Sequence, residues 1–206
     1  MISPGLTLAA ALRRGESELA AASDTPHLDA SVLLCHAGSY STTDLIARAG
    51  ESISEEIQAR YEVLIRERRS GRPVAQLTGQ REFWSLQIAI TPDVLIPRPE
   101  TELLVEAALG LVPVDADWRL ADLGTGSGAI ALALARERPC CRVTATDLSA
   151  AALQVADSNR TALDLEKVEL LHGSWFEPLG GRRFRLLVSN PPYVAADDPH
   201  LERGDV

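Results

Sequence analysis

Leu120-Ala-Asp122-Leu-Gly124-Thr-Gly126-Ser-Gly128-Ala129 is the stretch whose reading decides the fold. An apolar run from Arg119 to Leu123 reads as a strand, and Ala129 to Glu137 reads as a helix. Three glycines at alternate positions sit where the one turns into the other. Glycine there permits a tight turn and lets a ligand approach the backbone closely. The same residues satisfy G-x-G-x-x-A through Ala129, the dinucleotide fingerprint, so the loop alone leaves a dehydrogenase and a methyltransferase both open.

Working outward, the periods keep alternating. Arg142 to Thr146 reads as strand, Ala150 to Leu163 as helix, and Val168 to Leu171 and Arg185 to Ser189 as strands. Strand-helix alternation predicts a parallel sheet with helices on both faces, an α/β fold. Leu186-Leu187-Val188 is read as a strand buried on both faces. Asp147 ends the second strand, where a carboxylate can accept hydrogen bonds from both ribose hydroxyls of an adenosyl ligand, or cap the helix that starts near Ser149. Asp122 precedes the first glycine, where it can orient the loop or face a cation. A sulfonium carries positive charge and the phosphates of NAD are anionic, which tilts the balance from dehydrogenase to methyltransferase.

Asn190-Pro191-Pro192-Tyr193 follows the fourth strand directly. Two prolines make a rigid shoulder without amide donors. The Asn190 side-chain oxygen and a proline carbonyl can then act as fixed acceptors for a planar NH2 group. Amide nitrogen is a poor nucleophile because its lone pair is delocalised. Holding both hydrogens aims the nitrogen at an electrophile and supports the charge that develops on attack. Tyr193 can pack on the planar group. Its bland counterpart is a strand-ending turn, since Asn-Pro is a turn signal.

Upstream, residues 1 to about 72 read as helical. Ile57, Tyr61, Leu64 and Ile65 recur at helical spacing. Ser52 with Glu55 has capping-box spacing, Gly71 suits the C-terminus, and Pro73 stops the helix. Arg66, Arg68 and Arg69 are read as a solvated complement to its dipole. An earlier helix is expected from His27 to Ala37, with Leu28, Val32 and Leu33 as its apolar stripe. Between Val74 and Ile96 the period becomes two. Leu86, Ile88 and Ile90 alternate with polar or small residues, and with Phe83-Trp84 before and Val94-Leu95-Ile96 after they predict a hairpin connector. Pro97-Arg98-Pro99 holds the chain extended, and a helix follows from about Glu100 to Leu111.

Composition bounds the function. At 206 residues the chain fits one large domain or two small ones. Twenty basic against 29 acidic residues give a net charge of −9, which argues against a general nucleic-acid binder. Of that charge, −7 falls in residues 79–206. Three cysteines without a C-x-x-C, two of them adjacent, suit a reducing cytosol. The four histidines lack metal-site spacing. The apolar stretch from Leu6 to Leu12 is followed, not preceded, by Arg13-Arg14, the wrong order for a signal peptide, and no run reaches membrane-span length.

Taken in order, the chain resembles the bacterial protein-(glutamine-N5) methyltransferases that modify class-1 peptide chain release factors. The resemblance rests on the helical N-terminus, Arg72-Pro-Val-Ala-Gln-Leu-Thr-Gly79, Phe83-Trp84, Leu95-Ile-Pro-Arg-Pro-Glu-Thr-Glu102, the glycine loop, Asp147, Gly173-Ser-Trp-Phe176 and Ser189-Asn-Pro-Pro-Tyr-Val194. It covers essentially the whole chain. The N-P-P-Y element is shared with enzymes that methylate adenine or guanine amino groups; the I-P-R-P-E-T-E segment discriminates. The resemblance implies a helical release-factor-recognition domain over 1–73, a hairpin connector over 74–97, and a Rossmann-like methyltransferase domain over 98–206. It implies S-adenosylmethionine on Gly124, Thr125, Gly126, Ser127, Gly128 and Asp147, with Trp175 on the adenine side, although Trp175 by itself reads as a core residue. It implies Asn190, Pro191, Pro192 and Tyr193 as catalytic and substrate-binding residues, with Asn190 touching cofactor and substrate. The target is the glutamine of a Gly-Gly-Gln loop. A cytoplasmic monomer with no metal, membrane or direct nucleic-acid partner is expected. The family continues past Val206 with strands that pair beside the fourth, so the sequence is read as a fragment whose own activity is an open question. The alternatives are a DNA or RNA amino methyltransferase and a non-catalytic cofactor-binding fragment.

Overall fold

The computed structural model describes residues 5–191, which divide into two compact units, up to Thr78 and from Gly79 onward.

The first unit is helical: α1 (Leu8–Leu19), α2 (Pro26–Gly38), α3 (Thr42–Ala47), α4 (Glu55–Arg69) and α5 (Val74–Thr78). Its core gathers Leu8, Leu19, Leu33, Leu34, Tyr61 and Ile65, all nearly inaccessible to solvent. Gly15 lies inside α1 because Tyr61 crosses it: a β-carbon there would stand 2.0 Å from the Tyr61 hydroxyl oxygen. The α2 stripe departs from expectation. Ala30, Leu33, Leu34 and Ala37 face inward, whereas Leu28 is 59% exposed. The α4 cap also differs. Ser54, not Ser52, accepts from the Ile57 amide, because Ser52 is held in an extended bridge with Thr7. Nor is the end of α4 wholly solvated: Arg68 donates at 2.7 Å to Asp29, a buried carboxylate that also takes the Ser23 and Thr25 hydroxyls. Arg66 and Arg69 remain in the last turn beside the helix C-terminus.

The second unit opens with a hairpin, β1 (Gln80–Phe83) against β2 (Leu86–Ala89). The expected hairpin differs in its bounds: Val74–Thr78 is helical, the turn is Trp84-Ser85, and residues 94–96 form no strand. Both turn residues have left-handed backbone, φ 51° and 58°, the twist that two-residue hairpins favour. A 3-10 turn at Pro99–Thr101 leads into α6 (Glu102–Leu111), so the helix read from Glu100 begins two residues later.

The rest alternates as the periods require: β3 (Arg119–Leu123), α7 (Ala129–Glu137), β4 (Arg142–Asp147), α8 (Ala150–Ala162), β5 (Glu169–His172) and β6 (Leu186–Ser189). The sheet is parallel, in the order β5-β4-β3-β6. The chain steps outward from β3 to β5 and then returns to β3's other side, which creates a switch point at the carboxyl ends of β3 and β6. Helix α7 is buried along almost its whole length. Strand β6 stands at the edge of the described sheet, so it is not buried on both faces and exposes apolar surface, as expected where no further strand pairs beside it. Val188 is buried, but Leu187 is 46% exposed and Leu186 intermediate, because β6 pairs only with β3 among the described residues.

Candidate active site

The glycine loop leaves β3 and is pinned at once. The Gly124 and Thr125 amides both donate to the Thr146 carbonyl of β4 at 2.9 Å. Gly124, Gly126 and Gly128 have φ of 71°, 54° and 84°, a region side chains strain to enter. Their surroundings differ. At Gly128 a β-carbon would meet Ala156 and Leu132 at 3.2 Å, so this glycine lets α7 pack on α8. At Gly124 and Gly126 a β-carbon would meet no protein atom within 4 Å, which leaves bare backbone facing open space.

Asp147 stands beside that space. Its Oδ2 accepts from the Gly126 amide at 2.8 Å and its Oδ1 from the Ser149 amide at 2.8 Å. The helix cap itself is Ser149, whose hydroxyl accepts from Ala152. The carboxylate is thus held in one orientation, and each oxygen retains a lone pair for another donor.

Beneath the loop, Asp122 is inaccessible to solvent. Its Oδ2 accepts from the Thr125 hydroxyl at 2.6 Å, and its Oδ1 has no hydrogen-bond partner. Burial pushes its carboxyl up to about 6; the Thr125 hydroxyl and the Ala131 amide oppose that, and the Asp147 charge adds to it. A nearby cation would relieve the cost of its charged form.

Asn159, which sequence reasoning missed, holds the floor together. It is buried in α8, accepts from the Ala89 amide at 2.7 Å, and donates to the carbonyls of Ala89 (3.1 Å) and Ser127 (2.9 Å). One side chain ties the hairpin to the glycine loop. Its signal was a lone amide on the apolar stripe Ala152, Val155, Ala156, Asn159.

The remaining site residues follow the other strands. The Trp175 loop after β5 is attached to β4, through Gly173 to the Asp147 carbonyl (3.0 Å) and through the Thr146 hydroxyl to the Trp175 carbonyl (3.5 Å). Trp175 is 52% exposed with φ 45°, so its reading as core does not hold. Ser189 at the end of β6 donates its hydroxyl to Leu123 at 2.7 Å. Because Ser189 pairs with Leu123, Asn190 and Gly124 are the next residues on neighbouring strands. Asn190 is partly buried, and its Nδ2 donates to Thr101 Oγ1 at 3.2 Å. Pro191 follows it; Pro192 and Tyr193 lie outside the described residues. The glycine loop, Asp147, Trp175 and Asn190 therefore meet at the carboxyl ends of one parallel sheet. No group of residues that could hold a metal ion exists among the described residues.

A parallel α/β sheet with a bare glycine turn, a fixed acid after its second strand and an amide at its switch point defines the class of α/β proteins that bind a nucleotide cofactor at the carboxyl ends of their strands. The comparisons with known proteins resolve which. A family model described as the PrmC N-terminal domain matches residues 10–79, and the Methyltransferase small domain matches residues 100–203. The release factor glutamine methyltransferase of Vibrio cholerae is 46% identical over 203 residues, which is 98% of this chain and 71% of that protein. Those of Burkholderia pseudomallei and Escherichia coli (strain K12) are 51% and 45% identical, covering 92% and 95% of this chain and 69% and 70% of theirs. The chain belongs to the release factor glutamine methyltransferase family, and it spans about 70% of the length of these relatives. Among solved structures, the Thermus thermophilus 16S rRNA N2 G1207 methyltransferase in complex with AdoMet and guanosine matches at 26% identity and a TM-score of 0.49, over 57% of this chain and 33% of that one.

Proposed function

We propose that the protein transfers the methyl group of S-adenosylmethionine to the side-chain nitrogen of the glutamine in the Gly-Gly-Gln motif of class-1 release factors. The observation that carries this is the juxtaposition of Asn190 with Gly124 on neighbouring strand ends, in a chain of this family. When bound, the cofactor supplies an electrophilic methyl carbon on a sulfonium.

The residues present fit that cofactor. The bare backbone at Gly124 and Gly126 admits its close approach, and Asp147 has the lone pairs to take the ribose hydroxyls. Trp175, exposed on the loop beside Asp147, is suited to cover the adenine. Thr125 and Ser127 shape the loop, and buried Asp122 favours a cation over a phosphate at this end of the sheet. Asn190 and the Pro191 carbonyl accept the two hydrogens of the glutamine amide, aim its nitrogen and stabilise the charge that grows there. The nitrogen's bond to the methyl carbon forms as the carbon–sulfur bond breaks, and its electron pair stays on sulfur. The alkylated nitrogen then loses a proton to water, so no strong base is needed. Pro192 and Tyr193 are assigned to substrate binding in this reading.

The helical unit is assigned to docking the protein substrate, and the hairpin to joining it to the transferase unit. The protein is taken to act as a cytoplasmic monomer on protein rather than nucleic acid, and the net charge of −9 supports the choice of protein over nucleic acid. No helix among the described residues is long and apolar enough to cross a membrane. The test offers release factor, DNA and RNA as competing acceptors of a labelled methyl group, with the product located by mass spectrometry. Label on the Gly-Gly-Gln glutamine is expected. Label on nucleic acid would replace this reading with an amino-methylating nucleic-acid enzyme, and binding of S-adenosylmethionine without turnover would replace it with a binding module.

A further inference from the structure

The I-P-R-P-E-T-E segment reads from sequence as a rigid entry to a helix, and nothing above gives it a chemical task. Thr101, its sixth residue, sits at the N-cap of α6. A threonine there ordinarily accepts from a backbone amide two or three residues on. Thr101 makes no such bond. It has helical backbone, φ −66° and ψ −21°, because the 3-10 turn of Pro99–Thr101 runs straight into α6. Its hydroxyl is turned to a different use. It accepts from Asn190 Nδ2 at 3.2 Å, across 89 residues of chain.

The seat of this hydroxyl is itself fixed. Neighbouring Glu102 accepts the Trp84 amide at 2.8 Å, at the hairpin turn whose two central residues both have left-handed backbone. The Trp84 indole donates to Glu137 of α7 at 3.0 Å. Non-glycine residues persist in that conformation where their surroundings hold them. The start of α6 is thereby tied to the hairpin turn, which is itself tied to α7.

We infer that Thr101 is a positioning residue for amide methylation: by accepting from the NH2 edge of Asn190 it fixes the plane of that side chain and so the direction in which its carbonyl edge meets the substrate amide. This rests on the function proposed above. A side-chain amide presents an acceptor on one edge and two donors on the other. Only the acceptor edge can take a hydrogen from a substrate NH2. The bond from the donor edge to Thr101 fixes the plane of the group.

The test uses the full-length protein with Thr101→Val, which keeps the shape and removes the acceptor, and Thr101→Ser, which keeps the acceptor. In Thr101→Val, kcat for release-factor methylation is expected to fall about 10- to 100-fold. The S-adenosylmethionine Kd and the Tm are expected to stay at wild-type values, and Thr101→Ser to recover most of the loss. In an Asn190→Ala background, adding Thr101→Val is expected to cost nothing further. Independently of turnover, the Asn190 side-chain NH2 signals in an NMR exchange experiment are expected to lose protection in Thr101→Val. Wild-type kcat in Thr101→Val, an equal loss in Thr101→Ser, an additive double variant or a lowered Tm would each overturn the inference. A wild-type protein that labels no release factor defeats the functional reading instead, while the NMR result still decides whether Thr101 orders Asn190.

Discussion

Asp122 is inaccessible to solvent, bonded at one oxygen to Thr125 and without a partner at the other, and burial pushes its carboxyl up to about 6. An acid whose folded value lies above its unfolded one binds more protons when folded. Its stabilising contribution is then present at low pH and is lost as pH rises. The window runs from about 4 to about 6, and the difference is on the order of 3 kcal/mol. Asp122→Asn is expected to flatten the fall in denaturation midpoint across that window; an unchanged pH slope would show that another group causes it. A bound cation favours the carboxylate, so S-adenosylmethionine affinity is expected to weaken below pH 6 in the wild type and to lose that pH dependence in Asp122→Asn. Calorimetry at pH 5 and pH 7 measures both. Asp147→Ala leaves the Gly126 and Ser149 amides without their acceptor and removes the proposed ribose contact. It is expected to weaken cofactor affinity by about 10-fold or more, the loss of one or two charge-assisted hydrogen bonds.

Elements are stabilised here by a few side chains that stand in for backbone. Asn159 supplies donor and acceptor to Ala89 and a donor to Ser127, so Asn159→Leu leaves one amide and two carbonyls short of partners. A loss of about 2–4 kcal/mol in the second unit is expected from chemical denaturation, with cofactor binding impaired through the loop. In the first unit, Gly15→Ala places a methyl group where the buried Tyr61 ring already is. Overpacking of this kind is expected to cost about 1–3 kcal/mol despite alanine's better helix propensity. Both sites bear on how far the elements could be read. The β3–α7–β4–α8 succession is legible because short apolar runs and helical patterns alternate cleanly there, and the glycines mark the joint. The hairpin was misplaced because its turn is Trp84-Ser85, residues that do not announce a left-handed turn. The cap of α4 was misplaced because Ser52 is taken by a bridge to Thr7, a long-range contact that spacing cannot reveal. Leu187 was read as buried because its neighbours are apolar, whereas burial depends on which strands flank β6.

At the scale of the molecule, the site was more legible than its supports. The glycine loop, Asp147 and Asn190 could each be named from local sequence, because each ends a strand and carries a distinct chemical group. Trp175 was ambiguous, since an aromatic side chain suits a core and a ligand surface equally. Thr101 and Asn159 could not be assigned, because the partner of Thr101 lies 89 residues away and those of Asn159 lie 70 and 32 residues away. The acidic excess concentrates in residues 79–206, the part proposed to bind a sulfonium and to methylate a protein. Ion pairs at the surface of the helical unit, such as Arg14 with Glu62 and Arg48 with Glu51, are exposed and add little to its stability. The most direct test of the central claim is single-turnover methylation of a class-1 release factor by the wild type and by Asn190→Ala. A labelled Gly-Gly-Gln glutamine in the wild type is expected, with a rate at least about 100-fold lower in Asn190→Ala as the amide nitrogen loses an oriented acceptor. An unchanged rate in Asn190→Ala, or label on any other residue, would contradict the account.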